Sequence, residues 1–85
     1  MTGEQDSAIL VKRAKAMVGT GYPAEQLVPL LDGLAERLSL RYRSPMDRRV
    51  RLVKLVQGAA ISGREPTSQQ LLWLDELQHL LQEGK

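Results

Sequence analysis

The chain has no cysteine and no phenylalanine, and in 85 residues it carries one histidine, one tryptophan and two tyrosines. Without cysteine there is no disulfide framework, no thiolate nucleophile and no Cys-ligated zinc. No uninterrupted apolar run approaches the roughly 20 residues that a membrane span needs. Glu4 and Asp6 precede a short apolar run broken by Lys12, Arg13 and Lys15, so the N-terminus lacks a signal peptide's basic start and long apolar centre. The expectation is a soluble cytoplasmic protein without a membrane role.

β-Branched residues are also few outside Ile9 to Val18 and Val50 to Ile61, whereas there are fifteen leucines. That balance favours helices over strands. A chain of this length has room for one domain and one modest core.

The net charge is only +2, but it is unevenly spread. Residues 1–36 hold Glu4, Asp6, Glu25, Asp32 and Glu36 against Lys12, Arg13 and Lys15, a net of −2. Residues 37–54 hold Arg37, Arg41, Arg43, Arg48, Arg49, Arg51 and Lys54 against Asp47 alone, a net of +6. Residues 55–85 return to −2, with Arg64 and Lys85 against Glu65, Asp75, Glu76 and Glu83.

A shift of 43 residues lays the first half over the second: Pro23 on Pro66, Leu31 on Leu74, Asp32 on Asp75, Leu34 on Leu77, Leu38 on Leu81 and, in the first helices, Ala16 on Ala59 and Val18 on Ile61. Self-similarity at this period points to two helical hairpins of one design. The expected fold is all-α: four helices in a single domain spanning 1–85, with hairpins at about 4–42 and 45–83 packed into a small bundle or an orthogonal array.

Helix punctuation supports this division. Thr2 and Gln5 have the spacing of a weak capping box ahead of a first helix over about 4–18, which stops at Gly19-Thr20-Gly21. Its apolar face is Leu10, Val11, Ala14, Met17 and Val18. Pro23 opens the second helix, whose stripe is Leu27, Leu30, Leu31, Leu34, Leu38 and Tyr42; Pro29 within it predicts a bend or a later start near Gln26. Ser44-Pro45-Met46-Asp47 reads as an N-cap, a proline at the first helical position and a carboxylate at the third. The third helix then buries Leu52, Leu55, Val56 and Ala59 and turns Arg51 and Lys54 outward, with Gly58-Ala59-Ala60 as a small-residue patch open to close helix approach. Thr67 and Gln70 form a capping box for a fourth helix over about 68–82, with Trp73, Leu74, Leu77, Leu80 and Leu81 inward. Leu72, Leu40 and Val50 fall on polar faces, where an apolar side chain hints at a contact.

No constellation carries chemistry. The loops 19–26 and 62–69 stand where a calcium-binding pair would, yet they supply only Glu25 and Glu65 as carboxylates. Asp32 and Asp75 occupy matching positions but have no nucleophile or metal ligand beside them, and His79 is placed to pair with Asp75 one turn away. No catalytic residue, metal site or cofactor is expected.

The strongest lead is the basic cluster Arg41, Arg43, Arg48, Arg49, Arg51 and Lys54, together with Leu72 on its polar face. Guanidinium groups suit carboxylates and phosphates, and Tyr42 among them can stack on a base or pack inward. The leading expectation is a small non-enzymatic interaction protein, a regulator, adaptor or inhibitor that docks on a larger protein with an acidic surface. The alternative is a nucleic-acid-binding module using the Arg41–Lys54 cluster on phosphates; no base-reading helix-turn-helix register accompanies it. A homodimer completing a larger bundle through Leu40 and Leu72 is a third possibility.

Overall fold

The leucine stripes are buried where helical spacing puts them. The computed structural model describes residues 3–21, 23–44, 46–64 and 66–83, with only the backbone given for 3–6 and 83. Its four α-helices are α1 (Gly3–Thr20), α2 (Ala24–Arg41), α3 (Arg48–Ser62) and α4 (Thr67–Glu83). Each packs against two neighbours, α1 on α2, α2 on α3, α3 on α4 and α4 on α1, so the helices close a ring around one core. Asp32 lies nine residues before the end of α2 and Gln57 nine after the start of α3, and the two are hydrogen-bonded, which sets these helices antiparallel.

The core is made of Val11, Ala14 and Val18 from α1, Leu27, Leu31, Leu34 and Leu38 from α2, Val50, Leu52, Val53 and Val56 from α3, and Leu74, Leu77 and Leu81 from α4. Leu30, Trp73 and Leu80 are half-buried against it. Two expectations for α3 are corrected. Val50, expected on a polar face, is buried, and Leu55, expected in the core, is exposed. At 100° per residue Leu55 lies at the edge of a face centred on Val56; Val50 lies about as far round on the other side, one turn before buried Val53, and is covered there.

The 43-residue match also needs correction. It holds for the second helix of each hairpin: the carbonyls of Pro23 and Pro66 each accept from the backbone N–H groups three and four residues on, opening α2 and α4 alike. The fixed φ of proline suits this entry. It fails for the first helices, where Val18 is 6% exposed and its supposed counterpart Ile61 is 68% exposed. The left-handed glycines that end α1 and α3, Gly21 (φ 77°) and Gly63 (φ 67°), are instead 42 residues apart. One extra residue in the second turn accounts for the difference: residues 21–23 join α1 to α2, whereas residues 63–66 join α3 to α4. A shift of 42 superposes Val11 on Val53 and Ala14 on Val56, all four buried.

The helix starts differ in detail from expectation. Asp47, not Ser44, is the N-cap of α3, its carboxylate accepting from the Arg49 N–H at 2.9 Å. Ser44 instead organises the preceding turn, where its hydroxyl accepts from the Met46 N–H and its carbonyl from the Asp47 N–H. Pro45 of that expected start, and Thr2 of the expected first capping box, lie outside the described residues. α2 does not start late: it begins at Ala24 and continues through Pro29, which leaves the Glu25 carbonyl without its intrahelical donor. Thr67 is the first residue of α4, and the carbonyl that opens the helix is that of Pro66. Gly58 faces open space, whereas its neighbour Ala59 is buried.

Candidate functional site

The basic segment straddles the α2–α3 connection, and the fold sorts its side chains into two groups. α2 ends as the Tyr42 N–H donates to the Leu38 carbonyl at 2.7 Å. Tyr42 is half-buried, and the Arg49 guanidinium lies over its ring at 3.7 Å from the centroid, with Arg41 at 5.9 Å. Arg49 also donates through Nη2 to the Asp47 carboxylate at 3.0 Å, while its Nε is buried without a partner among the described residues. Asp47 therefore holds the α3 backbone and the stacked guanidinium at once. The aromatic that sequence reading left free to stack or to pack inward has one face occupied from within.

Arg48 leaves the cluster in another direction. It reaches α4 and forms a two-pronged pair with Glu76, Nε to Oε2 at 2.7 Å and Nη2 to Oε1 at 3.0 Å. Hydrogen bonding to Arg48 holds the Glu76 carboxyl below its ordinary range, and the same contact raises the Arg48 value. In contrast, Arg43, Arg51 and Lys54 are exposed and make no ion pair among the described residues. Thus three of the six cluster cations remain open to a partner, and two of them, Arg51 and Lys54, share the outer face of α3.

The repeat-matched aspartates each tie one hairpin to the other. Asp32 of α2 accepts from Gln57 of α3. Asp75 of α4 accepts from Lys15 of α1 at 2.9 Å, and that ammonium also donates to Gln78. Bonding to Lys15 is the main cause of the lowered Asp75 value, with the charge of His79 a smaller one. The expected side-chain pairing of Asp75 with His79 is replaced: His79 Nδ1 lies 2.9 Å from the Asp75 backbone carbonyl. Among the described residues no three His, Cys, Asp or Glu side chains gather into a set that could hold a metal ion. No helix is long and apolar enough among them to cross a membrane.

Apolar side chains outside the core complete the surface. Leu40 is 71% exposed, Met46 72% and Leu72 62%. Leu72 stands beside Leu71 at a shallow groove of about 420 Å³ between α1 and α4, bounded by Lys15, Ser68 and Asp75. A second cleft of about 260 Å³ lies where the two hairpin turns meet, lined by small side chains including Ala24, Ala59 and Ala60. Compared with known proteins, the chain matches no family model, no curated sequence and no solved structure.

Leu40 and Leu72 were legible as apolar residues on polar faces, but Met46 and Ile61 were missed. Ile61 was hidden by the 43-residue shift that matched it to buried Val18. The helical angle from Val56 and Ala59 would have placed it outward.

Proposed function

We propose that this chain is a non-enzymatic interaction protein, a regulator, adaptor or inhibitor that docks on a larger protein through its helix faces and its exposed cations. The observation that carries this reading is the position of Leu40, Met46, Ile61 and Leu72: all stand outside a core that four helices already close. Large exposed apolar side chains, on a chain that also exposes cations without an ion-pair partner among the described residues, suit a protein surface with apolar and acidic groups. The nucleic-acid reading draws on Arg43, Arg51 and Lys54, but it has less support. Arg48 is committed to Glu76, Arg49 to Asp47, and Tyr42 already carries a guanidinium on its ring.

Affinity capture from native lysate, followed by titration of the purified captured protein, tests the reading. Saturable binding that is lost in the double variant Leu40→Gln/Leu72→Gln, with its melting temperature unchanged, is the expected result. Nucleic acid co-purifying without a protein, with retention that falls steeply as salt rises, would replace it with the alternative.

A further inference from the structure

Gly58 sits about one turn before the end of α3, on its outer face, and a Cβ built there meets no atom within 4 Å. Glycine is among the poorest residues for a helix interior, and nothing in the packing of this chain requires it at that position. On a helix surface the neighbours of a residue are those three and four positions away. For Gly58 these are Lys54, Leu55, Ile61 and Ser62, all exposed. The glycine is thus the floor of an open hole with Leu55 and Ile61 on opposite sides of its rim. One and two turns toward the start of α3 stand Lys54 and Arg51, cations without an ion-pair partner among the described residues.

We infer that the Gly58 hole on the outer face of α3 docks an acidic amphipathic helix of a larger protein. The inference rests on the protein-docking reading above and names its site and partner chemistry. An apolar knob, Leu, Met or Phe, seats over Gly58 between Leu55 and Ile61 in the manner of knobs-into-holes packing. An Asp or Glu one to two turns away on the same helix face meets Lys54 and Arg51. α3 contains no acidic residue, so the carboxylates come from the partner. Through α4 a second copy of the chain supplies them poorly. Its α4 shows Leu72 beside Asp75 and Glu76, but these acids are already bonded to Lys15 and Arg48.

The test uses the full chain, isotope-labelled, and a stapled helical peptide of about 15 residues, four turns long, with Leu at helical spacing on one face and Glu on its flanks. Amide shift changes are expected to centre on Arg51, Lys54, Leu55, Gly58 and Ile61. Gly58→Gln fills the hole and is expected to weaken binding by about tenfold or more, as is Arg51→Glu/Lys54→Glu. Gly33→Ala, at another helical glycine with open space around it, leaves binding unchanged. Gly58→Ala is expected to melt at a higher temperature than the parent, so a loss of binding in position-58 variants does not reflect unfolding. Shift changes mapped elsewhere, or equal affinity in Gly58→Gln, would overturn the inference. A dimer in light scattering that Gly58→Gln dissolves would overturn it too, by making a second copy the occupant. If the captured protein partner binds Gly58→Gln as well as the parent but is lost on Leu40→Gln/Leu72→Gln, this site is wrong and the docking reading stands. If no protein partner binds the parent chain at all, both fall.

Discussion

Removing the Asp47 carboxylate should destabilise the fold by more than the loss of a helix cap. In Asp47→Ala the Arg49 N–H at the start of α3 loses its acceptor, a change that costs about 1 kcal/mol at an ordinary N-cap. The same substitution strips the Arg49 guanidinium of its counter-ion while the group stays pressed on the Tyr42 ring with Nε buried. A hydrogen bond to a charged group contributes about 1.5–3 kcal/mol; partial access to water reduces that here to about 1 kcal/mol. The total of about 2 kcal/mol corresponds to a fall of about 8–16 °C in Tm for a domain of this size. Thermal unfolding followed by circular dichroism measures it, and a cycle with Arg49→Met separates the two parts. The carboxylate–guanidinium coupling should appear as about 1 kcal/mol of non-additivity. Ser44→Ala, which touches only the turn before the helix, should cost under about 0.5 kcal/mol. If Ser44→Ala costs as much as Asp47→Ala, or the cycle closes additively, the assignment of Asp47 as both cap and counter-ion is refuted.

Leu34→Ala and Leu77→Ala, at matching positions in α2 and α4 and both fully buried, should each lower the unfolding free energy by about 2–5 kcal/mol in urea titrations; one severe and one negligible effect would break the equivalence of the second helices. Gly63→Ala forces a Cβ into the left-handed region at φ 67°, and equilibrium unfolding should show a cost of about 1–2 kcal/mol. The carboxyls of Glu76 and Asp75 are both held below their ordinary values of 4.5 and 3.8. Their stabilising contribution is therefore complete above those values and is lost as pH falls through the lowered ones. Glu76→Gln should flatten this acid limb, an effect read from Tm against pH at low salt and diminished by added salt because the pairs are exposed.

How far this fold can be read from its residues depends on the helix. The core stripes of the second helix of each hairpin were legible, because Pro23 and Pro66 open them in the same way and their leucines repeat at one spacing, although the expected starts near Gln26 and at a Thr67 capping box were not. The first helices were not, since one added residue in the second turn rotates α3 by about 100° relative to the expected match. That slip put Ile61 in the place of a core residue. The basic cluster was legible as composition and not as a surface. Its cations are sorted by partners that spacing alone does not reveal: Glu76 lies 28 residues beyond Arg48 in sequence, and Tyr42 and Asp47 meet around Arg49 only because the connection folds back on itself. The matched aspartates Asp32 and Asp75 were visible as a pair, but their shared role of tying one hairpin to the other emerges only when the helices are placed.

Docking through the outward faces is the central claim, and amide shift mapping of the labelled chain against its purified captured partner tests it most directly. The account predicts saturable changes centred on Arg51, Lys54, Leu55, Gly58 and Ile61, with the buried leucines of α2 and α4 unmoved. A spectrum unchanged by any protein partner, or one that responds only to nucleic acid at low salt, would contradict it.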